Sequence, residues 1–164
     1  NGGFVIRLEI FAVGNLKEAW LRAGCEEYLK RMGLWSRAAV TELEEARLPK
    51  SPSPAQIAAA LEKEGQHILE KLPKSSKVVA LCIEGKLLSS QELADSFSRW
   101  AEQGTGEVSF IIGGSYGLSE AVKKRADLRL SMSPMTFPHQ LARLMLCEQI
   151  YRALSILGGA KYHK

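Results

Sequence analysis

Residues Lys77–Glu84 read KVVALCIE, a nearly continuous apolar run. A strand with one solvated face alternates apolar and polar residues. A run apolar throughout suits a central parallel strand, which helices cover on both sides. Glu107–Ile112 (EVSFII) and Phe4–Val13 (FVIRLEIFAV) have the same character, the second stopping at Gly14. Shorter strands are expected at Ala38–Leu43 and Leu128–Ser131, and Gly85-Lys86 is expected to turn the chain after the central strand.

Helical stretches separate these runs. Leu16–Met32 spaces Leu16, Ala19, Trp20, Ala23, Tyr28 and Met32 near helical period, and Gly33 stops it. Pro54 suits the first turn of a helix to about Leu72, and Ser89 or Ser90 caps another to about Gln103. Ser119–Lys124 and Pro138 to about Leu157 complete the pattern. Strands alternating with helices predict a single α/β domain over residues 1–164, with a mostly parallel sheet flanked by helices. Arg47–Pro54 (RLPKSPSP) reads as an extended or mobile loop. Glu62–Gln66 reads as a solvated helix face.

With 164 residues, 46% of them hydrophobic and 24% charged, the composition excludes a disordered chain, a collagen-like repeat and a disulfide-dense miniature fold. No run approaches the roughly 18 apolar residues of a membrane span. The first residues lack a basic segment leading into an apolar core, so no secretion signal is expected. The net charge of +4 permits a nucleic-acid partner without requiring one. Cys25, Cys82 and Cys147 are far apart and form no C-x-x-C pair, so we expect buried reduced thiols in a cytoplasmic protein and no metal.

Four segments carry candidate chemistry. Ile112–Leu118 (IGGSYGL) follows a strand. Gly113 and Gly114 there would admit either a ligand or simply a tight turn, and the pattern fails the dinucleotide fingerprint. Met132–His139 (MSPMTFPH) is a proline-stiffened loop before the last helix, where Met135 and Phe137 could meet a flat or thioether-bearing ligand. His139 and Arg143 are four apart and share a face of a helix otherwise too apolar for a solvated surface; that helix belongs in the core or in a subunit interface. The tail Lys161-Tyr162-His163-Lys164 could grip phosphate and stack on a base, or could simply fray. No HExxH motif, Walker loop or Ser-His-Asp order is present.

Six segments together carry a resemblance: FAVGNLKEAW, EKEGQHIL (Glu62–Leu69), LCIEGKLLSSQELA (Leu81–Ala94), FIIGGSYGL (Phe110–Leu118), LSMSPMTFPHQLARLMLCEQIYRA (Leu130–Ala153) and the terminal YHK. In order and over nearly the whole chain, they resemble the ribosomal RNA large subunit methyltransferase H family of SPOUT methyltransferases. The resemblance implies a C-terminal deep trefoil knot, a homodimer and S-adenosylmethionine as cofactor. It also implies methyl transfer to N3 of a pseudouridine in 23S rRNA on the ribosome.

Mapped residue by residue, the resemblance implies a cofactor pocket of Leu81, Gly113, Gly114 and the loop Met132, Ser133, Pro134, Met135, Thr136 and Phe137. His139, Arg143, Tyr151, Arg152, Tyr162 and His163 are then expected around the nucleotide. His139 or His163 would take the proton, and Arg143 or Arg152 would clamp an anion. A related enzyme acting on tRNA, and a non-catalytic RNA-binding protein keeping the knot, are the competing readings. A NAD-dependent oxidoreductase is more distant.

Overall fold

The structure, a computed structural model, describes residues 5–163. Phe4 and Lys164 of the sequence reading lie outside these residues, as do positions 1–3. Five strands, β1 (Ile6–Val13), β2 (Ser36–Leu43), β3 (Lys77–Leu87), β4 (Glu107–Ile112) and β5 (Leu128–Ser131), form one sheet in the order β2-β1-β4-β3-β5. Every pairing is parallel. The continuous apolar runs are the three inner strands β1, β4 and β3, which need cover on both faces.

That cover is divided between five helices. The α1 (Ala19–Arg31), α3 (Ser90–Glu102) and α5 (His139–Leu157) helices bury Ile6, Leu8, Ile10 and Phe110 on one face. On the other, α2 (Pro54–Lys71) and α4 (Glu120–Arg125) bury Phe11, Val13, Val78 and Ile111. Starts are set by local chemistry: Ser53 with Gln56 and Ser89 with Glu92 form capping boxes, and Ser119 caps α4. Among the described residues, no helix is long and apolar enough to cross a membrane.

Two local readings change. Gly85-Lys86 does not turn the chain, because β3 continues to Leu87. Leu130 of β5 pairs first with Leu81 and then with Lys86, so Cys82–Gly85 bulges out of the ladder. Gly85 permits this, since a Cβ there would lie 2.7 Å from the Arg129 carbonyl oxygen.

Nor is Glu62–Gln66 wholly solvated. Gly65 packs where its Cβ would meet the Ser119 hydroxyl at 2.3 Å, which brings α2 tight against α4. Glu64 is thereby buried, and its carboxylate accepts the Ala46 N–H at 2.8 Å. Burial raises its pKa above the usual carboxylate value. The Arg47–Pro54 segment is irregular up to the α2 cap, and Cys25, Cys82 and Cys147 are buried free thiols, as read from the sequence.

Candidate active site

A cleft of about 750 Å³ opens over the carboxyl ends of β3, β4 and β5, the edge where parallel sheets bind ligands. Its lining comes from the Cys82–Gly85 bulge, the glycine loop after β4 and the loop joining β5 to α5. Leu81, Gly113, Gly114, Met132, Ser133, Met135, Thr136 and Phe137 all line it, and of the cofactor residues read from the sequence only Pro134 does not. The floor is apolar and buried at Ile112, Leu118 and Leu130. The rim carries exposed Ile83, Tyr116 and Met135.

Each wall is fixed locally. Gly113 approaches the backbone of Gly117 so closely that a Cβ would lie 2.3 Å from its carbonyl oxygen. Gly117 adopts φ +86° and donates its N–H to the Gly114 carbonyl at 3.1 Å, closing a turn with Ser115 and Tyr116 at its tip. In the β5–α5 loop, Ser131 donates its hydroxyl to the Ser133 carbonyl, and the Ser133 hydroxyl accepts the Met135 N–H at 3.0 Å.

On the third wall, Glu84 pairs with Lys123 of α4 at 2.8 Å. This pair holds the Glu84 carboxyl below its ordinary pKa and raises the Lys123 ammonium. The sequence reading missed Glu84 and Lys123. The glycine inside an apolar strand was the available signal for a bulge there, but nothing local points to Lys123.

The six residues expected around the nucleotide divide into two groups. His139 lines the cleft at the start of α5. One turn on, Arg143 is buried; it donates to Glu42 at 2.6 Å and to the Gly14 carbonyl at 3.1 Å, binding α5 to the ends of β2 and β1. Tyr151, Arg152, Tyr162 and His163 gather instead at the far half of α5, where the tail folds back. Tyr162 packs edge-on against Tyr151 at 4.6 Å and donates its hydroxyl to Glu148 at 2.8 Å. Burial and the Glu148 carboxylate raise the Tyr162 pKa.

Arg152 bridges Glu148 at 2.5 Å and reaches His163 Nδ1 at 3.2 Å, while its Nε is buried without a partner among the described residues. A guanidinium only donates, so Nδ1 of His163 accepts and Nε2 carries the proton. At 1.5 Å per residue, Tyr151 stands about 18 Å along the helix from His139 and about 12 Å from Arg143. No group of three potential metal ligands gathers among the described residues.

A parallel sheet covered on both faces, with a ligand-sized cleft at its carboxyl edge, defines an α/β domain built to hold a small molecule at its strand ends. The comparisons narrow this. The family model described as "Predicted SPOUT methyltransferase" matches residues 6–163. A protein of Carboxydothermus hydrogenoformans named ribosomal RNA large subunit methyltransferase H is 48% identical over 159 residues, covering 97% of this chain and 100% of that one. A protein of the same name from Listeria monocytogenes is 45% identical over the same shares.

Among solved structures, a probable methyltransferase of Bordetella pertussis superposes with a TM-score of 0.56 at 16% identity, covering 91% of this chain and 96% of that one. One from Legionella pneumophila, determined with SAM bound, superposes with a TM-score of 0.50 at 12% identity, covering 93% and 67%. The chain belongs to the SPOUT methyltransferase family.

Proposed function

We propose that this chain methylates N3 of a pseudouridine in 23S rRNA within the ribosome, using S-adenosylmethionine, in the bacterial cytoplasm. The observation that carries this reading is the cleft, into which the glycine loop, the Cys82–Gly85 bulge and the β5–α5 loop all converge. The names of its relatives support rRNA as the substrate. Trefoil threading of the segment after β5 belongs to the same reading.

The residues fit the cofactor. Ile112, Leu118 and Leu130 offer an apolar floor for a flat adenine, and the closely packed Gly113 keeps side chains off the wall beside it. Met132–Phe137 would enclose the remainder, and the Glu84–Lys123 ion pair gives the third wall polar groups of both signs. When bound, S-adenosylmethionine supplies a methyl group activated by its sulfonium.

This chain's own residues must orient the base and take the N3 imide proton. His139 stands in the cleft and is the better base, because Nδ1 of His163 is already occupied by Arg152. His163 is then a hydrogen-bond donor through Nε2. Arg143 and Arg152 are both ion-paired, so either would position neighbouring groups and hold anionic oxygens only through its remaining donors.

The roughly 18 Å along α5 between His139 and Tyr151, beside which the tail packs, supports a homodimer in which the tail of one subunit completes the cleft of the other. The test is transfer of labelled methyl from S-adenosylmethionine to ribosomes lacking the modification, to free 23S rRNA and to tRNA. Label in ribosomes is expected. Preferential labelling of tRNA, or binding of S-adenosylmethionine with no transfer to any RNA, would overturn the reading.

A further inference from the structure

We propose that Tyr116 is the stacking platform for the acceptor nucleobase, holding it at the mouth of the cofactor cleft; this rests on the function proposed above. Tyr116 lies on the cleft lining yet is 50% exposed, and it belongs to neither hydrophobic cluster of the core. Its hydroxyl has no hydrogen-bond partner among the described residues. Packing in this chain therefore gives no reason for an aromatic side chain at that position.

The turn that carries it is nevertheless pinned on several sides. The Gly117 N–H closes it onto the Gly114 carbonyl, and Gly113 wedges it against the end of β4. From β2's side, the Glu45 carboxylate accepts the Ser115 N–H at 3.4 Å and fills the space where a Gly114 Cβ would stand, 2.5 Å away. A fixed turn displaying an exposed ring loses little entropy when a flat ligand covers that ring.

Two flat rings meet in this reaction, the cofactor's adenine and the acceptor base. Depth separates them. The buried floor at Ile112 and Leu130 suits the adenine, whereas Tyr116 shares the rim with Met135 and Ile83, which are 72% and 55% exposed. A pyrimidine exposes N3 only when lifted from its stack and pair, and an aromatic face takes such a base whatever its hydrogen-bonding edge does.

Ribosome affinity by filter binding, ribosome KM, and S-adenosylmethionine affinity by calorimetry are measured for wild type, Tyr116→Ala and Tyr116→Phe. Tyr116→Ala should weaken ribosome binding and raise ribosome KM about tenfold or more, with cofactor affinity within about twofold of wild type. Tyr116→Phe, which keeps the ring, should recover most of the loss. Unchanged ribosome affinity in Tyr116→Ala would overturn the assignment, as would a cofactor affinity that falls by the same factor. A wild-type protein that binds ribosomes but transfers no methyl would overturn the proposed function, and the affinity ratio would still decide the role of Tyr116.

Discussion

Gly113→Ala is the most direct perturbation of the cleft that leaves every side chain around it unchanged. The added Cβ would stand 2.3 Å from the Gly117 carbonyl oxygen and 2.6 Å from its carbon, and both are backbone atoms that no rotamer change can move. Real Cβ contacts essentially never fall under 3.0 Å and are seldom under 3.4 Å, so the turn must retreat by 0.7 to 1.1 Å. A displacement of that size breaks the Gly117–Gly114 hydrogen bond or shifts the whole cleft wall.

Overpacking of this kind costs about 1–3 kcal/mol, which for a chain of this length lowers Tm by roughly 2–12 °C. If the displacement falls on the cleft, each 1.4 kcal/mol weakens S-adenosylmethionine binding about tenfold. Gly33→Ala is the control, because its Cβ meets nothing within 4 Å and its φ is not positive. It should leave cofactor affinity unchanged and keep or slightly raise Tm. Calorimetry and thermal denaturation on both variants read the two effects. Wild-type affinity and Tm in Gly113→Ala would refute the claim that this contact shapes the cleft.

The other predictions concern buried charge and the tail. Glu64→Gln keeps the acceptor for the Ala46 N–H while removing a buried charge. Because the folded-state pKa of Glu64 is raised, its stabilising contribution is complete below the unfolded value and is lost as pH rises through the folded one. The variant should therefore melt above wild type at pH 7.5, with the gap closing near and below about pH 4; a gap independent of pH contradicts the burial argument. Arg143→Ala strands the Gly14 carbonyl and lets the half-exposed Glu42 rehydrate, costing about 1–3 kcal/mol by denaturant titration. Arg143→Lys should fall between. Full stability with abolished transfer would instead make Arg143 a substrate clamp. Removal of residues 162–164 should leave cofactor affinity unchanged and reduce methyl transfer more than a hundredfold; retained transfer would exclude the tail from the site.

Where strand and helix chemistry is local, the sequence was legible. KVVALCIE became the inner strand β3, Pro54 opens α2 and Ser89 caps α3. All three cleft walls contain a segment already marked by glycine, proline or strand-end position. What escaped depends on partners distant in sequence. Gly85 reads as a turn signal until the Arg129 carbonyl on β5 closes over it. Glu64 reads as solvated until Gly65 draws α2 onto Ser119. Arg143 reads as an anion clamp or a loop cap, and neither reading points to Glu42, 101 residues away, which pairs with it while the Gly14 carbonyl is capped. The separation of His139 from the tail group is likewise a property of the folded α5.

Mapping the methylated nucleoside tests the central claim most directly. Ribosomes lacking the modification would be incubated with the protein and S-adenosylmethionine, and the 23S rRNA digested and analysed by mass spectrometry. The account predicts one new methyl group, on N3 of a pseudouridine, absent when His139 is replaced by Ala. Methylation of a ribose or of another base, or undiminished product with His139→Ala, would contradict it.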